Sequence, residues 1–488
     1  MATYEELRAS KIAKLKAARE KGINPYPYAY ERTHLARAIQ TDYAYLKEGE
    51  ASGKKAKVAG KLMSVRGFGK LAFLDVHDDS GKIQIQLKQE TTPKTAWEIL
   101  SLLDAGDYIG VEGEIVRTQR GELSVLAGSL TLLSKSIAPM PDKWHGISDI
   151  ETRYRQRHID LFMNPEVKKI FLERSKIIQT MRRVLDENGF VEVEIPTLQS
   201  SYGGANAKPF ITHSNALDQD LYLSISPELQ LKKLLIGNME KVYTITKNFR
   251  NEDIDKTHNP EFTTMECYAA YWDYTGMMTL TEDIFREACI AVHGTTTFSY
   301  QGKEYDLKGK WERLPMKKAI KKYGDVDVDA LSDPEMLAII AKTGKKMENP
   351  PLRGLIINEL FEAVAEKHLI QPTHLIDYPF ETTPLCKPHR TEKGYIERFE
   401  SFINGWEMGN AYSELNDPIA QRELLEQQAE EGRAGGEEMP VDDDFLHAME
   451  YGMPPAGGLG IGVDRMIMLL LDQPTIRDVI FFPQMRDK

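Results

Sequence analysis

Cysteine is scarce in this chain of 488 residues: there are three (Cys267, Cys289, Cys386), an odd number without metal-ligand spacing. That excludes a disulfide framework and a cysteine-built zinc site, and points to a reducing compartment. Long apolar runs are missing too, and none approaches the ~20 residues that a membrane helix needs. The N-terminus, with Glu5, Glu6, Arg8 and Lys11, lacks the apolar core of a secretory signal. The expectation is a cytoplasmic protein that spans no membrane. An excess of positive charge is also absent: the net charge of −12 argues against a generic nucleic-acid binder, though not against one with a local basic face. What is present is 41% hydrophobic and 28% charged residues, enough to build sizeable cores, on a chain too long for one ordinary domain.

Residues 1–21 read as a helix bearing Arg8, Lys11, Lys14, Lys16, Arg19 and Lys21. It is either an RNA-facing basic helix or a solvated amphipathic one. Residues 22–55 read as an irregular connector, so that 1–56 form an N-terminal segment. The texture then changes to short alternating strands over 57–135: VAGKLMSV, KLAFLDVHD, KIQIQLK, YIGVEGEIVRT and ELSVLAG. Turns are expected at Arg66-Gly67, Asp79-Ser80-Gly81 and Arg120-Gly121, and a helix near Lys94–Leu103. This pattern fits a small β-barrel of the oligonucleotide-binding (OB) type. Residues 136–150, with Pro139 and Pro141, read as a linker. From 151 to 488 the pattern is α+β, around a largely antiparallel sheet. A helix is expected over 165–188, a helical insertion over about 313–369, and an exposed acidic segment over 423–444.

Four segments carry candidate chemistry. In LYLSISPELQLKKLL a strand ends at Ser226, which can cap a helix opening with Pro227-Glu228. Glu228 there either receives a ligand ammonium or serves the helix dipole. In KVYTITKNFRNEDIDKTHNPEFTTMECYAAY, period-2 reading puts Thr246, Asn248, Arg250 and Glu252 on one face, and Phe262, Thr264, Glu266 and Tyr268 on one face of the return strand. The hairpin thus gathers an arginine suited to phosphate, acids, aromatics and the loop His258. In IERFESFINGWEMGNAYSELND, Asn404-Gly405 signals a two-residue hairpin that pairs Phe402 with Glu407. Glu400 and Glu407 then lie diagonally, close enough to share Mg2+. For Asn410, Tyr412 and Glu414 to join that site, a bulge is required near Gly409. In GGLGIGVDRMIM the glycines allow close approach of a ligand, and Arg465 at the helix start can meet phosphate. The segment matches neither the P-loop nor the dinucleotide fingerprint.

In this order the segments resemble the three motifs of the class II aminoacyl-tRNA synthetases. FVEVEIPTLQ resembles motif 1, FRNE with the HNPEF loop motif 2, and GLGIGVDRMIMLLL motif 3. The preceding barrel is similar to that of the aspartyl, asparaginyl and lysyl subclass. GGANAKPFIT, SPELQLK, FRNEDIDKTHNPEFTTMECYAAYWDY and GNAYSELNDP look specifically lysyl. The resemblance implies an OB-fold anticodon-binding domain followed by a class II antiparallel-sheet catalytic domain. It further implies a homodimer that activates lysine with ATP and Mg2+, releases pyrophosphate, and passes the lysyl group to tRNA(Lys).

It also implies roles. Arg250 and Arg465 would be catalytic, holding the α- and γ-phosphates, and Arg250 also the lysine carboxylate. Glu252, His258, Asn259, Phe262 and Glu400 would complete the ATP site, and Glu400 with Glu407 would carry Mg2+. Gly204 and Glu228 would hold the α-amino group of L-lysine. Glu414 and Tyr268, helped by Glu266, would receive the ε-ammonium, with Asn410 and Tyr412 lining the pocket. In the barrel, Phe73 would stack on an anticodon base while Arg66, Gln84 and Glu122 bond base edges. An aspartyl or asparaginyl enzyme would want a cationic or amide-reading pocket. The related elongation-factor-modifying enzyme lacks the barrel, and non-catalytic relatives lose the motif arginines and carboxylates that stand here.

Overall fold

A computed structural model describes residues 3–141, 149–345, 347, 352–433 and 440–487. The chain divides into two compact units, Met1–Gly146 and Ile147–Lys488.

The first unit is a closed barrel with strands β1 (Ala51–Phe68), β2 (Leu71–His77), β3 (Lys82–Lys88), β4 (Tyr108–Arg117) and β5 (Leu123–Ser134) in the order β1-β2-β3-β5-β4. Closure leaves no unpaired edge. Alternation decides the faces: Ala72, Leu74, Val76, Ile83, Ile85 and Leu87 fill the core, and their neighbours point outward. The helix Lys94–Leu100 falls where the sequence predicts it. Three details differ from expectation. The strand β1 runs through Arg66-Gly67, and its turn comes at Gly69, whose φ of +60° suits a residue without a side chain. The connector holds a helix, Ala36–Asp42, that buries Ala36 and Ile39, and β1 already begins at Ala51. These short polar stretches carry too little periodicity to read.

The N-terminal helix, Tyr4–Glu20, is closed by a Thr3–Glu6 capping box. Two of its bases are consumed within this unit: Lys11 Nζ donates to Ala105 O (2.8 Å) and Lys14 Nζ to Asp104 (2.6 Å). Lys16, Arg19 and Lys21 stay exposed.

The second unit opens with the short helices Ile150–Arg155 and Arg157–Met163 and the long helix Pro165–Glu187. The short strands β6 (Val191–Glu192), β7 (Leu198–Gln199), β8 (Ile211–Ser214) and β9 (Gln219–Leu223) follow, then the hairpin β10 (Lys241–Phe249) and β11 (Glu261–Ala270). Beyond a helix, Tyr274–His293, come β12 (Thr297–Tyr300), β13 (Lys303–Asp306), β14 (Glu312–Pro315), β15 (Thr373–Pro379), β16 (Tyr395–Ile403), β17 (Trp406–Ser413) and β18 (Ala456–Gly462). Eight strands form one sheet, ordered β14-β15-β16-β17-β18-β11-β10-β6 and mostly antiparallel. The helical insertion is therefore framed by sheet strands, since β14 pairs with β15 on its far side.

One face of the sheet is core and the other is cleft. Met265, Cys267 and Ala269 of β11, Ala411 of β17 and Leu459 and Ile461 of β18 pack into an apolar cluster with Phe285 and Ile284 of the helix Tyr274–His293. The intervening residues of the same strands face the other way. The acidic segment departs from expectation: it contains a helix, Pro418–Arg433, that buries Gln421 and Ala429 and packs Leu425 against an apolar cluster. An i, i+4 stripe (Gln421, Leu425, Ala429) hides among its glutamates. Residues 434–439 of that segment lie outside the described ones.

Candidate active site

The cleft on the open face of the sheet collects Gly204, Glu228, Arg250, Glu252, His258, Asn259 and Phe262 along its wall, with Glu266, Tyr268, Glu407, Asn410, Tyr412 and Arg465 beyond them. Thirteen expected side chains or backbones thus line one cavity. Two others do not line it. Glu400 lies behind, where Arg398 Nη donates to one oxygen (2.6 Å) and the Tyr378 hydroxyl to the other (2.7 Å). Glu414 is fully buried, with Lys232 Nζ 2.5 Å from its carboxylate.

The turn at Asn404-Gly405 explains how the acids converge. Both residues have positive φ (59° and 71°), as a tight hairpin of this hand requires. Phe402 pairs with Glu407, as the sequence register demands, but Ser401 pairs with Gly409. Met408 is the extra residue, so the strand bulges beside Gly409, where the sequence calls for it. The bulge lets Glu407 share the cleft with Asn410 and Tyr412.

At the nucleotide end, the Arg250 guanidinium sits 5.2 Å above the Phe262 ring, and its buried Nε–H has no acceptor among the described residues. A buried donor left without a partner is costly unless a ligand supplies one. Arg465 donates to Glu407 O (2.9 Å) and reaches His258 Nε2 (2.8 Å), whose Nδ1 faces Asp255 (2.8 Å). Despite partial burial, the Thr257 and His258 N–H groups and the His258 ring hold the Asp255 carboxyl down to about 2, so it fixes the ring orientation at neutral pH. Burial pushes the Glu400 carboxyl up to about 7, with Arg398 opposing and Glu407 adding to the rise. Glu407, which lines the cleft, is an oxygen donor that suits Mg2+, an ion that commonly takes one or two carboxylates plus phosphates; Glu400 stands behind it with both oxygens held by Arg398 and Tyr378. Among the described residues, no group of three or more His, Cys, Asp or Glu forms a metal cage.

At the other end the cleft becomes an acidic, aromatic slot. Burial pushes the Glu266 carboxyl up to about 8, helped by Glu228 and opposed by Arg250. Glu414 rises to about 8 by burial as well, against the pull of Lys232. The Ser226 hydroxyl donates to Glu266 (3.3 Å) and accepts from Glu228 N–H (3.2 Å); the helix Glu228–Ile236 opens on Pro227 without a side-chain cap, so Ser226 stands one residue ahead of the cap position expected for it and serves the acids instead. Gly204 adopts φ +81°, and a Cβ there would lie 3.0 Å from Glu228 Cβ. A Cβ on Gly458 would overlap Glu414 Oε1 and the Tyr268 ring. These glycines allow backbone to close over the acids. Sequence reasoning missed Lys232 and Arg398. Arg398 shares the alternation of Glu400, a signal that was available; the reach of Lys232 to Glu414 is tertiary.

In the barrel, Arg66 pairs with Phe73, and Gln84 pairs with Asp75, on the outward side of β1, β2 and β3. Arg66 lies 3.0 Å from Asp75, and Gln84 accepts from Ser124 (2.9 Å). Glu122, at the mouth of β5, lies 3.8 Å from Lys82. Three strands therefore present polar groups around one half-buried aromatic ring, the layout of a single-strand binding face.

A family model described as tRNA synthetases class II (D, K and N) matches residues 149–486, and one described as OB-fold nucleic acid binding domain matches 56–133. A protein of Thermosynechococcus vestitus named lysine–tRNA ligase is 49% identical, over 99% of this chain and 97% of its own. Lysine–tRNA ligases of Moorella thermoacetica (49% identical, 99% and 98% covered) and Pelotomaculum thermopropionicum (48%, 99% and 95%) are similar to the same extent. With a bulged hairpin, a guanidinium-bearing motif 2 and a glycine-lined β18 in their expected places, the chain belongs to the class II tRNA synthetases, in the family of the lysine–tRNA ligases.

Proposed function

We propose that the protein joins lysine to tRNA(Lys) through a lysyl-adenylate made from ATP. The observation that carries this reading is an acidic slot lined by Glu228 and Glu266, with Glu414 buried behind it, next to a phosphate-ready pair of guanidiniums, Arg250 and Arg465. The lysine carboxylate is ionised at neutral pH and needs no general base to attack the α-phosphorus. The chain's work is positioning and charge neutralisation. Arg250 bridges the α-phosphate and the lysine carboxylate, and its unpartnered Nε–H supports that role. Phe262 stacks on adenine, with Asn259 and Glu252 on the base and ribose side. Arg465 and His258 hold the outer phosphates in a bent ATP. Glu400 and Glu407 are the residues that would hold Mg2+, which shields phosphate charge. Glu228 and backbone near Gly204 take the α-amino group. Glu414, Glu266 and Tyr268 take the ε-ammonium, with Asn410 and Tyr412 beside them. Amino-acid-dependent ATP–pyrophosphate exchange with each of the twenty amino acids tests the reading. Lysine alone is expected to support it, and exchange with aspartate or asparagine instead would overturn it.

The barrel face is the anticodon reader, with Phe73 stacking on a base and Arg66, Gln84 and Glu122 bonding base edges. One stacked base is worth ~1–3 kcal/mol. Phe73→Ala is therefore expected to raise the KM for tRNA in charging by ~10-fold or more while leaving exchange unchanged. Equal damage to both activities would contradict the division of labour. The homodimer uses the motif 1 region, where Leu172, Val191, Leu198 and Ile211 are exposed apolar side chains that favour burial against a second copy. No helix among the described residues is long and apolar enough to cross a membrane. Three buried, unpaired thiols support a cytoplasmic location.

A further inference from the structure

The pocket that the proposed function assigns to substrate lysine already holds a lysine of the chain itself. Lys232 has no solvent exposure, and its Nζ lies 2.6 Å from Glu228 Oε1 and 2.5 Å from Glu414 Oε2. It also stands 5.9 Å from the Tyr268 ring centroid and 5.8 Å from that of Tyr412. The Tyr412 hydroxyl donates to the other Glu228 oxygen (3.2 Å). A buried ammonium is strongly disfavoured without counter-charge. Here burial is outweighed by Glu228 and Glu414, which hold Lys232 protonated well above its ordinary range.

We propose that Lys232 is a resident counter-ion and positioning residue of the amino-acid pocket: it divides its charge between Glu228, which lines the slot, and Glu414, buried behind it, holds both carboxylates in place, and leaves the pocket short of positive charge that the substrate's ammonium groups supply. The inference rests on the reading of this slot as the lysine site. The charge count supports it. Three buried carboxylates (Glu228, Glu266, Glu414) face one buried ammonium. The other groups around them are the phenols of Tyr268 and Tyr412, the Cys386 thiol, and the Arg250 and Arg398 guanidiniums. In the free pocket burial raises Glu266 to about 8, with Glu228 adding to the rise, and raises Glu414 likewise against the pull of Lys232. An arriving ammonium favours their ionised forms, so binding below pH 8 expels protons, and lysine affinity rises as pH goes from 6 towards 8.

Removing Lys232 while keeping its volume adds one more proton to that exchange, because a buried pocket that loses its ammonium must replace that charge with a proton. The test is calorimetric titration of L-lysine into the full chain between pH 6 and 8, for wild type, Lys232→Met and Lys232→Arg. For Lys232→Met the lysine Kd at pH 7 is expected to rise about tenfold or more. The slope of log Kd against pH should steepen by about one proton, a further tenfold per pH unit. Lys232→Arg keeps the charge and is expected to keep the wild-type slope. A spacer role would weaken binding without changing the slope, so equal slopes in Lys232→Met and wild type overturn the proposal. If Lys232→Met shows no cooperative melt, Lys232→Arg decides, and an added proton in its slope overturns the proposal. Wild-type protein that binds no lysine at all would instead overturn the functional reading of the slot.

Discussion

Replacing Arg250 by alanine is expected to lower lysine-dependent ATP–pyrophosphate exchange by ~10³-fold or more, the scale on which an arginine at a transferring phosphoryl group acts. The argument is geometric. Among the described residues no side chain accepts from the buried Nε–H, and the guanidinium lies over the Phe262 face. The local backbone tie, Arg250 N–H to Pro260 O (2.9 Å), involves no side-chain atom and survives the substitution. The variant should therefore melt cooperatively near the wild-type temperature while losing activity. Lysine at this position should rescue poorly, because a point charge cannot bridge a carboxylate and a phosphate in the planar, two-pronged way of a guanidinium. Exchange near the wild-type rate in Arg250→Ala would refute the role. A second effect accompanies the loss. Arg250 opposes the upward push on the Glu266 carboxyl, so its removal should leave that group protonated to still higher pH.

Much of this site is legible in the sequence because it sits on strands, where the period of two is strict. Asn404-Gly405 fixes the turn, the turn fixes Phe402 opposite Glu407, and the chemistry then demands the irregularity found at Met408. Likewise Phe262, Thr264, Glu266 and Tyr268 separate from Met265, Cys267 and Ala269 as alternation dictates. The barrel was readable for the same reason. What escaped reading had either weak periodicity or tertiary causes. The end of β1 around Arg66-Gly67 looks like a turn because a glycine follows a charged residue there, although the strand continues to Phe68. The helix Pro418–Arg433 was hidden by its glutamates. The burial of Glu400 beneath Arg398 and Tyr378 depends on β15, which lies across the insertion in sequence. Lys232 reads as an ordinary i, i+4 partner of Glu228; only the folded sheet reveals that Glu414 is its second partner.

Glu414→Gln gives the other large effect, and it falls on the amino acid rather than on the nucleotide. The substitution keeps shape and removes one buried charge. In the complex it leaves a substrate ammonium facing an amide, and breaking a buried pair from one side costs ~3–5 kcal/mol. The KM for lysine is therefore expected to rise by ~10²–10³-fold, whereas the KM for ATP should hold, since Glu414 lies apart from Arg250, Phe262 and Arg465. The turnover number should change less than KM, because the ε-ammonium takes no part in bond making and its binding is felt equally before and in the transition state. Two opposing effects decide the final size. Lys232 retains Glu228 at 2.6 Å and so does not become an orphan cation, which limits structural damage. The free pocket, however, no longer contains a carboxyl raised to about 8, so part of the wild-type gain in affinity between pH 6 and 8 should vanish together with the proton that Glu414 releases. Discrimination should fall as well: norleucine, which matches the aliphatic chain without the charge, leaves Glu414 with Lys232 as its one ammonium partner in the wild type but meets an amide in the variant. Exchange kinetics with lysine and norleucine across pH 6–8 measure all of this, and a lysine KM within about threefold of wild type would show that the buried carboxylate serves Lys232 alone and never meets the substrate.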